Sequence, residues 1–190
     1  ALEAIKNVIT PETTIISIAA GVTTEHIDKK LEGKGHVVRV MPNTPMLVGS
    51  GVSAIAAGPR ASAEDVHWVQ RLFAASGLTI VTDESSLDAV TGLSGSGPAY
   101  LFYLIEAMTE AGVKEGLDPD IAEMLATQTC IGAGKLIAQT GKKPEELRRM
   151  VTTPGGTTAA AVDHLDECKV HESIASAISA ATARSRELGQ

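Results

Sequence analysis

Two neighbouring stretches set the strongest limit on how this chain folds. The first starts at Ser96-Gly97-Pro98, where Ser96 is placed to cap and Pro98 to take an early helical position, and it runs to about Glu115. Its apolar residues Ala99, Tyr100, Leu101, Phe102, Leu104, Ile105, Ala107, Met108 and Ala111 lie nearly all round a helix, so more than one face must be covered. The second opens at Asp118-Pro119 and carries Ile121, Ala122, Met124, Leu125, Ala126, Cys130, Ile131, Ala133, Leu136 and Ile137. Burying one such side chain contributes about 1.5–3 kcal/mol, so a bare face is costly. Pattern alone specifies burial and not its partner. The helices either pack against shorter helices at Glu145 to Val151, Thr157 to Asp166 and Glu172 to Leu188, or they meet another subunit. Gly132-Ala133-Gly134 inside the second helix reads as a tight helix crossing.

The first half has a different rhythm. Thr13 to Ile18 is a β-branched run between Pro11 and Ala19-Ala20-Gly21, which reads as a buried strand. A helix over Thr24 to Leu31 follows, capped by Thr23 or Thr24. Further strands are predicted at Val37 to Met41, Gly51 to Ala57 and Leu78 to Thr82, with a helix over Ala63 to Ala75 before the last. Strands alternating with helices indicate the later part of an α/β sheet, whose ligands gather at the carboxyl ends of the strands. Those ends are Ile18-Ala19-Ala20-Gly21 and Met41-Pro42-Asn43-Thr44. Small residues at the first admit a flat ring close to the backbone or simply make a tight turn, and Asn43 offers a donor and an acceptor or closes an Asx-turn. The fold class is therefore α/β followed by all-α, with a sheet domain over 1–83 and a helical domain over 84–190. The junction near Asp83 to Ser94 reads as a change of architecture rather than a flexible tether.

Composition narrows the function classes. The chain has 190 residues, 44% hydrophobic and 21% charged, which suits one sizeable core or two modest ones. A net charge of −7 with 3% aromatics argues against nucleic acid, which demands clustered cations and stacking rings. Cys130 and Cys168 belong to no CxxC pair, so neither a metal site nor a disulfide is expected, and a reducing compartment, the cytoplasm, is the default. The longest stretch free of Asp, Glu, Lys and Arg, Val40 to Pro59, holds three prolines and three glycines and does not make a spanning helix. The chain begins at Ala1 and its first six residues read as the tail of a helix, which suggests a missing upstream segment.

One further stretch carries chemistry. Val151-Thr152-Thr153-Pro154-Gly155-Gly156-Thr157-Thr158 leads into helical spacing at Ala160, Val162 and Leu165. Pro154 stops any helix arriving from behind, and the first turn of the next one leaves amides unpaired at its positive end. Gly155, Gly156 and Thr157 can thus seat a small anion, or Thr153 or Thr157 can act as an ordinary N-cap.

The run TTPGGTTAAAVDHLDE at Thr152 to Glu167, together with TGLSGSGPAY at Thr91 to Tyr100, resembles the signature region of the pyrroline-5-carboxylate reductases, which make proline. The resemblance extends over essentially the whole chain. It implies reduction of 1-pyrroline-5-carboxylate by NADPH or NADH, with Ile18, Ala19 and Ala20 beside the nicotinamide end of the cofactor. It also implies a homodimer or larger homo-oligomer. The proposed substrate set is Thr153, Gly155, Gly156, Thr157 and Thr158, the first four holding the carboxylate and Thr158 acting at the ring nitrogen as the catalytic residue. A threonine hydroxyl is a poor acid, so it orients or relays a proton while proximity does most of the work. Where the family commonly has serine, Thr153 keeps the hydroxyl. Where it often has a polar residue, Met150 keeps only bulk. No GxGxxG follows a strand here, and Gly92-Leu93-Ser94-Gly95-Ser96-Gly97 is not a substitute, since no convincing strand precedes it. That leaves an alternative, a catalytically inactive fragment serving only as a helical dimerisation module. A reductase of 2-oxo or β-hydroxy acids would be expected to aim a lysine at its substrate, and the loop has none.

The remaining candidates read as structural. His26, His36, His67, His164 and His171 are expected at the surface or an interface, the acidic pairs Glu64-Asp65, Glu145-Glu146 and Asp166-Glu167 as solvated charges, and Trp68 as a packing residue.

Overall fold

A computed structural model describes residues 2–189. After a short helix α1 (Leu2–Ile5), the strands β1 (Thr14–Ser17), β2 (His36–Met41), β3 (Gly51–Ala57) and β4 (Gly77–Val81) form one sheet in the order β1-β2-β3-β4. Helix α2 (Thr24–Lys30) crosses from β1 to β2 and α3 (Ala63–Ala74) from β3 to β4, so both those pairs are parallel. Between β2 and β3 there is room only for a 3-10 helix, Thr44–Val48, closed by Gly49 at φ 70°. A connection that short returns the chain beside itself, and β2 pairs antiparallel with β3, Met41 opposite Ala54. The sheet is therefore mixed, and the carboxyl ends of β1 and β2 lie at the edge where β3 begins.

Side-chain alternation along β2 explains the core. Val38 and Val40 pack with Ile55 and Val69, and Phe73 and Val66 of α3 close over them. On the opposite face Met41 joins Ala54, Ala56 and Leu87, while Val37 joins Ile27 of α2 and Leu31, which closes that helix. Helix α2 is capped by Thr23, whose hydroxyl accepts from the His26 N–H, and α3 by a reciprocal capping box between Ser62 and Asp65.

The second half begins earlier, and less cleanly, than a start at Ser96 would require. The backbone is already helical through a 3-10 turn at Glu84–Ser86, helix α4 (Leu87–Val90) and a π-helical segment, Thr91–Gly95. Ser96 closes that segment by donating its N–H to the Thr91 carbonyl at 2.8 Å, and α5 (Gly97–Lys114) follows directly. Gly92 in this segment lies close against α9, where an added Cβ would meet Thr182 Oγ1 at 2.2 Å and the Ile178 carbonyl at 2.8 Å. Then come α6 (Pro119–Thr140), capped by Asp118, α7 (Pro144–Met150), α8 (Thr157–Glu167) and α9 (Val170–Leu188).

The chain divides into two compact units, Ala1–Pro98 with Ala177–Gln190, and Ala99–Ser176. This differs from a boundary at 83/84. Leu87 is fully buried against the sheet, and the end of α9 returns to Gly92 and to Gly21, so both segments belong with the strands. In the helical unit the close crossing is between α5 and α6 at Gly112, where an added Cβ would lie 3.2 Å from Ala122. Within the chain, Gly132 and Gly134 meet nothing within 4 Å.

Candidate active-site elements

The residues expected to meet the cofactor lie together at the carboxyl end of β1. Ile18 is 61% exposed, Ala19 is exposed, and Ala20 is half-buried against the Met41 and Leu87 cluster. Gly21 then turns the chain at φ 75°, a conformation glycine adopts without steric cost. At the neighbouring strand end Asn43 uses both halves of its amide within the fold. Its Oδ1 accepts from the Val52 N–H at 2.9 Å and its Nδ2 donates to the Ser94 carbonyl at 3.2 Å, tying β2 to β3 and to the π-helical segment.

In the helical unit the loop before α8 is built on one turn. The Gly156 N–H donates to the Thr153 carbonyl at 2.9 Å, with Pro154 and Gly155 between them and Gly155 at φ 72°. Proline first and a left-handed glycine second is the arrangement a type II turn requires. Gly156, not Thr153 or Thr157, is the N-cap of α8, and no side chain closes that end. The hydroxyls of Thr153, Thr157 and Thr158 make no hydrogen bond among the described residues, nor do the N–H groups of Gly155, Thr157 and Thr158. Thr152 differs, since its hydroxyl is committed to the Arg148 carbonyl at 2.7 Å. Glycine at the cap thus leaves donors facing outward that a capping threonine would have consumed. The Gly156 amide, by contrast, is spent on the turn.

Several other residues are placed differently from expectation. Asp65 is no solvated charge: its side chain is 10% exposed and takes Thr14 Oγ1 at 2.6 Å, the Ser62 N–H at 2.8 Å and His36 Nδ1 at 2.9 Å. Burial pushes this carboxyl up, but the hydrogen bonds from Ser62 and Thr14 and the neighbouring His36 outweigh it and hold the group well below the usual carboxylate range. His36 accordingly belongs to the structure of the sheet rather than to an open surface. Trp68 leaves 52% of its surface exposed on α3 instead of packing. His164 is exposed, within 3.8 Å of Glu167 and 3.7 Å of Cys168. Among the described residues no group of three or more His, Cys, Asp or Glu could hold a metal, and no helix is long and apolar enough to cross a membrane.

Sequence reasoning passed over Arg39. It is 2% exposed in the middle of β2, with one Nη 3.3 Å from Glu84 and the other 3.8 Å from Asp88. A single cation inside a β-branched run, matched by acidic residues just beyond the last strand, was the available signal.

A mixed sheet with helical crossovers followed by a helical unit is the architecture of an α/β protein with an added all-α domain. Residues 84–188 match the family described as pyrroline-5-carboxylate reductase dimerisation. The pyrroline-5-carboxylate reductase of Methanosarcina acetivorans is 46% identical over the whole chain, which spans 70% of that protein. Among solved structures, the Coxiella burnetii pyrroline-5-carboxylate reductase is 36% identical with a TM-score of 0.91, matching all of this chain and 71% of its own. A Plasmodium falciparum pyrroline carboxylate reductase with NADP bound is 29% identical with a TM-score of 0.93, over 100% and 76% of the two chains. This chain belongs to the pyrroline-5-carboxylate reductase family.

Proposed function

We propose that the chain reduces 1-pyrroline-5-carboxylate to L-proline with hydride from NADPH or NADH, in the cytoplasm and as a homodimer or larger homo-oligomer. The observation that carries this reading is the loop before α8, where the amides of Gly155, Thr157 and Thr158 and three threonine hydroxyls stand without hydrogen bonds among the described residues at the positive end of a helix.

The loop divides the work among its residues. The N–H groups of Gly155 and Thr157 and the hydroxyl of Thr153 hold the substrate carboxylate, while Gly156 supports them through the turn it closes. Thr158, half-buried on the first turn of α8, orients the imine nitrogen and passes a proton to it as the imine carbon is reduced. The nicotinamide group, when bound, supplies the hydride. Ile18, Ala19 and Ala20 fit its flat ring, because the strand end offers an exposed apolar face without bulky obstruction.

A second reading has its own support. The dimerisation match covers most of the chain beyond the sheet, so an assembly module is the competing account. NADPH oxidation driven by pyrroline-5-carboxylate separates them. Activity in this chain that falls about a hundredfold or more in Thr158→Ala supports the reductase. Activity only in a version extended to the relatives' full length supports the assembly module, and no activity in either removes the first reading.

A further inference from the structure

The buried cation Arg39 ties together two contacts on either side of the Ala19–Ala20–Gly21 turn. On one side Glu84 accepts from the Thr24 N–H and from Thr24 Oγ1, both at 2.7 Å, on the first turn of α2 just after the turn. Its carboxylate lies against Arg39. On the other side the end of α9 presses on the turn itself. A methyl added to Gly21 would stand 2.5 Å from the Ser185 carbonyl and 2.7 Å from the Gly189 N–H. That end of α9 is tied down by Ser185, 2% exposed, whose hydroxyl donates to Asp88 at 2.7 Å, and Asp88 is the second carboxylate facing Arg39.

Arg39 is not satisfied by this arrangement alone. Its Nε and one Nη are buried without a hydrogen bond. A buried cation with incomplete pairing is a poor source of stability, and an apolar residue of similar size would serve the core as well or better. Its guanidinium instead lies against two carboxylates at once, Glu84 and Asp88, and those carboxylates hold Thr24 and Ser185.

We infer that Arg39, Glu84, Asp88 and Ser185 are positioning residues for cofactor binding: they clamp the Ala19–Gly21 turn from both sides and hold it in the shape that receives the nicotinamide ring. This rests on the reading of Ile18, Ala19 and Ala20 as cofactor-facing. The clamp includes the last turns of α9, so a segment more than 150 positions away in the chain sets the geometry of the first strand end.

Ser185→Ala is the test, because it removes one hydroxyl and leaves the charges in place, with Ser185→Thr restoring the donor. Two quantities are read on the chain: hydrogen exchange at the amides of residues 19–22, and the NADPH dissociation constant by fluorescence. Ser185→Ala is expected to speed exchange at the turn and weaken NADPH by about fivefold to tenfold each, with exchange in β2 and β3 unchanged and Ser185→Thr close to wild type. Unaltered exchange at the turn overturns the clamp. Faster exchange with unaltered NADPH affinity overturns the positioning role while leaving the cofactor reading intact. A wild-type chain that binds no NADPH overturns the cofactor reading, and the positioning role with it.

Discussion

The sheet unit and the helical unit treat their apolar residues in opposite ways. In the sheet unit Val38, Val40 and Ile55 are fully buried, because alternation along the strands points them at α3, whose Val69 is buried with them. In the helical unit the buried hydrophobic residues among those described are Ala122, Ala126 and Leu147, while Phe102, Leu104, Met124 and Leu125 each leave half or more of their surface exposed. A strand has two faces and can dedicate one to a core. A helix that is apolar all round needs more neighbours than one helical hairpin provides, so its stability is shared with whatever covers it. Residues 84–188 match the family described as pyrroline-5-carboxylate reductase dimerisation, and another subunit is the cover that match suggests.

The largest way to break this contrast is to charge the uncovered face. Replacing Phe102 and Leu125 together by Asp is expected to weaken self-association by about a thousandfold or more, read as a fall to single-chain mass in sedimentation equilibrium. An assembly that survives would mean those residues face solvent in the oligomer. In the sheet unit the corresponding variant is Ile55→Ala, which opens a cavity in a closed core and should cost about 2–5 kcal/mol in urea unfolding. That loss should be the same at every protein concentration, whereas the stability of the helical unit should rise with concentration.

The same contrast governs what could be read before the structure was known. Strands β1 to β4 and their crossover helices were legible, because period-two alternation and flanking Gly, Pro and Thr are local signals. The long helices were legible for the same reason. The antiparallel turn between β2 and β3 follows from the length of the Pro42 to Ser50 connection, a clue that strand-by-strand reading does not use. The π-helical segment at Thr91–Gly95 was not legible, since it depends on Gly92 meeting α9 far along the chain. Arg39 and Asp65 were missed likewise: a charge inside or beside an apolar run states its need for a partner without saying where the partner lies. In the loop, spacing located the threonines and glycines, but which amide is spent on the turn is a matter of geometry.

Two glycines sharpen the comparison at smaller scale. Gly49 in the sheet unit and Gly155 in the helical unit sit at φ 70° and φ 72°, and an added Cβ at either would meet nothing within 4 Å. Alanine at each should therefore carry the same backbone cost, about 1–2 kcal/mol, with no steric term to separate them. Only Gly155→Ala is expected to raise the KM for the imine substrate as well, because only that turn shapes the proposed carboxylate seat. Equal kinetic effects at both positions would remove the loop from the site.

The smallest expected effect tests whether acid sensitivity also belongs to one unit. Asp65 is held below its ordinary pKa by its partners in the folded sheet, so folding stabilises the ionised form. Its contribution is present in full above the unfolded carboxylate value near pH 4, and it is lost as pH falls from about 5 through that value toward the folded one. Asp65→Asn should lower stability by about 1 kcal/mol at neutral pH, the size of a capping interaction, and wild type and variant should converge on acidification. A gap that stays constant down to pH 3 would show that the capping geometry matters and the charge does not. Because the partners Thr14, His36 and Ser62 all lie in the sheet unit, the loss should appear in β1 and β2 amide exchange and leave the mass of the assembly unchanged.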